Sequence, residues 1–301
     1  MTRGARGLLV ALALSGGAGG AGCASVPPPA SQLPSGQAAI DRMKATYDCV
    51  RGVHGDAKLD YFSDKGRVRG TLLFFAIEPS LVRMDVVSPF GVTLSTLTSD
   101  TERFSLNDLA AKRFLEGPAT PCNIARVTHV PIPAHALVSL LHGSAPVLVH
   151  DPTAVTARWD RHGYYVVEIP SRHDAVEELR LAPSPSDFGK LWSDQRMRVL
   201  DVVVRQKGVV LYHAELEDHQ AAPMSTAQVD DDGIDPPIPP SGPMCAAEVP
   251  KKIHVEVPTS GDDVLFRYEE VKLNPPLVEG TFTQPVPGGV ERMRVGACGD
   301  R

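Results

Sequence analysis

The 301-residue sequence is most informative first for what it lacks. No GxSxG, HExxH, Walker A loop, GxGxxG after a strand, or paired-carboxylate motif occurs, so no residue supports an enzymatic reading. There is no CxxC pair, which removes the usual signal for zinc or thioredoxin-like redox chemistry. His129, His135 and His142 lie near one predicted helix, but their spacing is not i, i+4, and they read as ordinary surface or cap histidines. Asp230-Asp231-Asp232-Gly233 lacks the alternating acidic ligands and the downstream Glu of a calcium loop, and reads as a solvated acidic loop. No metal or cofactor is expected. Positive charge is not in excess either: the formal net charge is -6, and nucleic acid is excluded as a partner. Internal repeats are absent. What remains is an ordinary globular composition, 43% hydrophobic and 22% charged.

Long apolar runs are missing too, and the one short run is at the start. Arg3 and Arg6 precede Leu8 to Leu14, and a small-residue tract leads to Cys23. A positive n-region, a short apolar core and small residues make a signal peptide over residues 1–22, too short to span a bilayer as a mature helix. Gly20-Ala21-Gly22-Cys23 resembles the bacterial lipobox, with Gly20 where leucine is usual; the resemblance implies that Cys23 is lipidated and becomes the new N-terminus. Acyl chains contribute roughly 0.8 kcal/mol per buried CH₂, so a multiply acylated cysteine is a stable anchor. Ala24 is not the aspartate that retains many such proteins at the inner membrane, so the expected location is the outer membrane, facing the periplasm. Cleavage removes two arginines and no acid, taking the charge from -6 to -8. Cys49, Cys122, Cys245 and Cys298 then remain, an even number in an oxidising compartment; two disulfides are expected, with three connectivities open.

Beyond the anchor, residues 23–35 form a Pro/Ser-rich tether, and residues 36–301 are read as one domain. Ser35 can cap a helix whose Ile40, Met43, Tyr47 and Val50 make one apolar stripe. From Lys58 the period changes to two, predicting strands that include Leu59 to Phe62, Arg67 to Ile77, Leu81 to Val87, Val92 to Thr98, Arg196 to Arg205, Val209 to Glu217, Ile253 to Val257 and Val264 to Leu273. Short links between them mean antiparallel neighbours. One helical interruption, "VPIPAHALVSLLHGSAP", starts near Pro133, carries Ala136, Leu137, Leu140 and Leu141 on one face, and stops at Gly143. The fold class is therefore mainly β: a curved antiparallel half-barrel with two or more helices over its concave face. The Pro/Asp-rich stretch 218–249 reads as a surface insertion, stapled by Cys245.

Two stretches carry a family resemblance. An apolar strand runs into "SPFGVTLSTL", and "VPIPAHALVSLLHGSAP" follows at a set distance; together with "GRVRGTLLFFAIEPSLVRMDV" they resemble the outer-membrane lipoprotein receptor family LolB and, more loosely, its soluble relative LolA. The resemblance covers roughly Lys58 to Pro146. It implies a half-barrel enclosing an apolar cavity for the acyl chains of lipoprotein cargo, received from a LolA-like periplasmic carrier and inserted into the outer membrane. Candidate cavity residues are Leu72, Phe74, Met84, Val86, Leu94, Leu137, Leu140 and Leu141. The family's solvent-projecting leucine at a Pro-Leu-Gly tip matches Phe90, between Pro89 and Gly91, as a membrane-insertion loop. Extra length, four cysteines and the acidic insertion depart from the family. An envelope docking module without lipid cargo is the alternative, and an envelope hydrolase a third reading that names no residue.

Overall fold

Period-two patterning dominates from Lys58 onward, and strands are what form. A computed structural model of the chain describes residues 25–64, 66–128, 132–228 and 236–296. In chain order the elements are α1 (Gly36–Tyr47), β1 (Gly52–Ser63), β2 (Gly66–Ile77), β3 (Leu81–Val87), β4 (Thr93–Asp100), β5 (Arg103–Asp108), β6 (Arg113–Pro118), α2 (Pro121–Thr128) and α3 (Ala134–His142). There follow β7 (Thr156–Asp160), β8 (Tyr164–Pro170), β9 (Ala175–Pro183), β10 (Met197–Gln206), β11 (Val209–Glu217), β12 (Gln220–Ala221), β13 (Glu248–Val249), β14 (Lys252–Val257), β15 (Asp262–Leu273) and β16 (Glu291–Arg294). Fourteen strands make one sheet in the order β16-β6-β5-β4-β3-β2-β1-β15-β14-β11-β10-β9-β8-β7. Its two end strands do not meet, so the sheet is not closed into a barrel. It is also mixed: β16 runs parallel to β6, which corrects the wholly antiparallel expectation. Residues 119–290 separate β6 from β16, which supplies the long connection that a parallel pair needs.

Both long-range helices form where local chemistry starts and stops them. Ser35 caps α1 by accepting from the Ala38 N–H at 3.1 Å, and Ala39, Ile40, Met43 and Tyr47 turn one stripe into the core. Pro133 precedes α3, and Gly143 ends it with φ 88°, a left-handed conformation natural to glycine, its N–H bonded to the Leu140 carbonyl. The helix α1 packs on β7, β8 and β10, and α3 on β1, β2 and β3. One continuous apolar core fills the space between them and the sheet. His142 closes that core at the end of α3: its Nε2–H donates to the Ala76 carbonyl at 2.9 Å, and burial pushes its pKa down to about 4, so the ring stays neutral.

Three strands of the large sheet, β6, β7 and β16, and the short pair β12 and β13 are not predicted by the sequence, and β1 begins seven residues earlier than expected. Glycine is the cause in β1, since it weakens a strand signal. A Cβ on Gly55 would sit 2.0 Å from the Glu270 carbonyl oxygen, so the residue that hides the strand is the one that lets β15 approach. In β6, Gly117 plays the same part beneath Val295.

The Pro/Ser-rich segment is laid on the domain rather than left free. Val26 donates to the Arg161 carbonyl at 2.8 Å and accepts from Trp159 Nε1 at 3.0 Å, while Ser31 Oγ accepts from the Trp192 N–H at 3.0 Å. The signal peptide and Cys23 lie outside the described residues. Of the three open connectivities, the structure contains Cys49–Cys245, which ties the end of α1 to the insertion. Cys122 is also disulfide-bonded, and Cys298 lies outside the described residues, as does the Asp230–Gly233 loop.

Inside the core, Glu177 of β9 is fully buried; its Oε2 accepts from the Leu148 N–H at 2.9 Å and its Oε1 has no partner among the described residues. Burial pushes its pKa up to about 8. A folded-state pKa above the unfolded value means that the neutral acid stabilises below about pH 4.5 and that this contribution is lost as pH rises to about 8. Glu177→Gln is therefore expected to raise stability by ~3 kcal/mol at pH 8 and to change it little at pH 4.5. Urea midpoints at the two pH values check this, and an equal effect at both would remove the titration account.

Candidate functional site

The candidate site is built from the half of the sheet around β1 to β5 and β15. On these strands alternate residues face α3, and toward one end of the sheet they stop meeting helix side chains. Leu59 and Tyr61 from β1, Val68 and Leu72 from β2, Met84 and Val86 from β3, Leu94 and Leu97 from β4, Leu106 from β5, and Val264 and Phe266 from β15 line a cavity of ≈ 470 Å³. Leu137 of α3 forms part of its wall. The volume falls in the range of small-molecule sites, and the lining is apolar apart from Tyr61, Ser95 and Asp108. Tyr61 turns its hydroxyl aside, donating to Asp262 Oδ1 at 2.7 Å.

Of the eight residues proposed from sequence, Leu72, Met84, Val86, Leu94 and Leu137 are brought together on this cavity. Phe74, Leu140 and Leu141 are not. They are at most 1% exposed and pack within the core, Phe74 stacked on Tyr268 at 5.0 Å. The difference is one of position along the strand: Ala76 accepts from His142 at the end of α3 and Phe74 stacks on Tyr268, whose hydroxyl donates to the Leu141 carbonyl, whereas Val68 and Leu72 lie nearer the β1–β2 turn. Leu59, Val68, Leu97, Leu106, Val264 and Phe266 were missed, although their alternation was visible, because pattern alone does not say where a helix ends over a sheet.

The "both faces apolar" strand Thr71 to Ile77 divides its duties. Leu72, Phe74 and Ala76 are buried against the helices, while Leu73 is exposed on the other face and Phe75 stacks on His54 at 5.2 Å.

The loop between β3 and β4 stands at the cavity's end of the sheet. Antiparallel alternation puts the β1–β2, β3–β4, β5–β6 and β14–β15 turns at one common end. In the β3–β4 loop, Ser88 Oγ accepts from the N–H groups of Phe90 at 3.3 Å and Val92 at 3.1 Å, the Ser88 N–H donates to the Val92 carbonyl at 2.8 Å, and Gly91 takes φ 78°. The loop is thus fixed by its own hydrogen bonds. Phe90 is 91% exposed at its tip. Phe62, Val68, Val92, Leu94 and Leu109 add further exposed apolar side chains at this end. A second cleft, ≈ 960 Å³, lies beneath the same loop and is lined by Lys58, Arg67, Arg69 and Arg267 against the single carboxylate Asp60. Arg67 grips Asp60 with two nitrogens, and this holds the carboxyl below the usual carboxylate range. Lys58 pairs with Glu269 at 3.0 Å, so two cations remain in excess there, in a chain whose net charge is negative.

No helix among the described residues is long and apolar enough to cross a membrane. No family model matches the sequence, and no curated protein matches it. Solved structures similar to it include a LolA superfamily protein from Nitrosomonas europaea, 11% identical over 83% of this chain and 98% of that one, with a TM-score of 0.48. A putative outer membrane lipoprotein-sorting protein domain from Vibrio parahaemolyticus is 10% identical over 82% and 95%, with a TM-score of 0.46. A DUF1329 family protein from Desulfovibrio piger is 9% identical over 83% and 96%, with a TM-score of 0.49. By structure, then, the chain is similar to proteins of the LolA superfamily, outer membrane lipoprotein-sorting domains and DUF1329 proteins.

Proposed function

We propose that this protein is a lipid-anchored envelope lipoprotein that takes acyl chains of lipoprotein cargo into the cavity between α3 and the sheet and releases them into the outer membrane. In this reading the unclosed sheet acts as a curved half-barrel. The observation that carries it is the placement of an open apolar cavity beside a collar of exposed apolar residues at one end of the sheet. A cavity that merely completed a core would gain nothing from exposed phenylalanine and valine around it. Anionic headgroups fit the cationic cleft beneath Phe90, each nearby Lys or Arg contributing on the order of 1 kcal/mol at a charged bilayer. Cys23 supplies the anchor, Phe90 the membrane contact, and a LolA-like carrier the cargo. With Cys23 acylated, three residues reach Val26, a span of at most ~10 Å, so while Val26 keeps its bonds to Arg161 and Trp159 the β7–β8 turn is held at the bilayer, and Phe90, at the other end of the sheet, meets it once the Pro/Ser segment has come away from the domain.

The deciding experiment soaks the purified protein, with Cys23 replaced so that it carries no acyl chain of its own, with a fatty acid or a triacylated lipopeptide and reads bound ligand by native mass spectrometry. One apolar chain per protein is expected, lost in Leu72→Gln. No bound lipid at any concentration favours the docking-module reading, in which the disulfide-stapled insertion is the partner surface.

A further inference from the structure

Across the sheet from the cavity, on the outer face of β10, β11, β14 and β15, a set of side chains has a symmetry that the lipid-binding reading does not use. The sequence His213-Ala214-Glu215 on β11 is matched by His254-Val255-Glu256 on β14. Ala214 and Val255 point into the core, so each His and Glu pair points outward together. The two strands are antiparallel, with His213 opposite Glu256 and Glu215 opposite His254, and the two tripeptides are therefore related by a local two-fold axis. The flanking strands extend it: Asp201 lies opposite Glu215, and Asp263 opposite Glu256.

The contacts obey the same symmetry. His213 Nε2 is 2.7 Å from Asp201 Oδ2, and His254 Nε2 is 2.8 Å from Asp263 Oδ1. Its counterpart contact is equally regular: His213 Nδ1 is 3.6 Å from Glu256 Oε2, and His254 Nδ1 is 3.5 Å from Glu215 Oε2. A carboxylate only accepts, so each Nε2 carries the proton, and each Nδ1 meets its glutamate either as the second N–H of an imidazolium, which the Asp201 hydrogen bond and the other facing carboxylates favour by raising the His213 pKa, or as a lone pair. In the neutral form two acceptors face each other, and a cation between them takes the place of that proton. For a tetrahedral ion with bonds of about 2.0–2.2 Å, ligand atoms stand about 3.4 Å apart, close to the spacing found here without movement. An aspartate behind each imidazole is also the usual support of a metal-bound histidine.

Two further observations point to a cation. Asp201 is buried, and its Oδ1 has no hydrogen-bond partner among the described residues. Four carboxylates stand in the strip, and among the described residues the one Lys or Arg paired with any of them is Arg180, 3.6 Å from Asp201. The groups Asp201, His213, Glu215 and His254, Glu256, Asp263 each hold their ligand atoms within 4.8 Å of one another; they join each histidine to the glutamate on its own strand, so both glutamates stand near each ring.

We propose that this strip binds two divalent ions of the zinc class, one between His213 Nδ1 and Glu256 and the other between His254 Nδ1 and Glu215, with Asp201 and Asp263 orienting the rings. Mixed imidazole and carboxylate ligation selects zinc-class ions over calcium and magnesium, which prefer oxygen alone. Titration calorimetry of the full chain with zinc chloride is expected to give two ions per chain. His254→Gln should leave one and His213→Gln/His254→Gln none, with calcium chloride binding at least tenfold more weakly. Should the double variant not fold, Asp263→Asn, a change at a half-buried position, is expected to weaken zinc tenfold or more. A stoichiometry other than two, uptake that survives the double variant, or calcium binding equal to zinc overturns the proposal, as does an unchanged affinity in Asp263→Asn.

Discussion

Phe90→Glu is expected to leave folding and lipid uptake near their original values and to cut transfer of a fluorescent acyl cargo to anionic vesicles at least tenfold. At 91% exposure the ring packs against nothing whose loss would register in stability, and surface changes of this kind usually stay within about 0.5 kcal/mol. Inserting a phenylalanine into lipid contributes about 1.5–3 kcal/mol, which is tenfold or more in membrane contact, and a carboxylate in its place adds repulsion from the bilayer. Ser88 and Gly91 hold the loop whatever residue stands at its tip, so the substitution changes chemistry without changing shape. Phe90→Leu should retain transfer. High salt should weaken vesicle contact in the parent, since it screens the arginines beneath the loop. A loss of ~3 kcal/mol in Phe90→Glu would mean that the ring is packed, and unchanged transfer would mean that the loop does not meet the membrane.

The second large effect concerns stability and a residue that no pattern singles out. Asn274, fully buried just after β15, accepts at Oδ1 from the N–H of Arg51 at 2.7 Å and of Gly52 at 3.2 Å, and donates through Nδ2 to the carbonyls of Cys49 and Pro243, each at 2.9 Å. It joins the end of α1, the start of β1 and the insertion beside the Cys49–Cys245 bridge. Its φ of 53° is left-handed, which asparagine tolerates better than most residues. Asn274→Ala strands four backbone groups and keeps the backbone strain, and is expected to cost about 5 kcal/mol in denaturant unfolding. Asn274→Asp keeps both acceptor contacts and loses both donated ones, and should fall between. A cost under 1 kcal/mol for the alanine variant would show that water replaces the side chain freely.

Much of this was legible before any coordinates. The stripe Ile40, Met43, Tyr47 and the cap at Ser35 marked α1, and Pro133 and Gly143 bracketed α3, because caps and periodicity are local chemistry. The odd phenylalanine at a turn tip was visible for the same reason. The cavity was half legible. Leu72 and Leu94 could be placed on a helix-facing surface by alternation, but whether such a residue meets a helix, as Phe74 does, or a void, as Leu72 does, depends on where α3 lies. The His-x-Glu pair was present in the sequence as two tripeptides 41 residues apart and carried no signal, since neither is a ligand set until β11 and β14 pair in one particular register.

The sequence by itself determined the mainly β class, the helices α1 and α3, the acidic charge, and the residues, such as Phe90, that no single domain would easily bury. Tertiary structure alone decided that the sheet stays open, that β16 returns parallel to β6, that the Pro/Ser segment lies on the domain, and which apolar side chains surround empty space. The reason is physical: helix caps, turns and alternation depend on neighbours within a few residues, whereas a cavity or a paired ligand set depends on contacts such as β1 with β15, made across more than two hundred residues of chain.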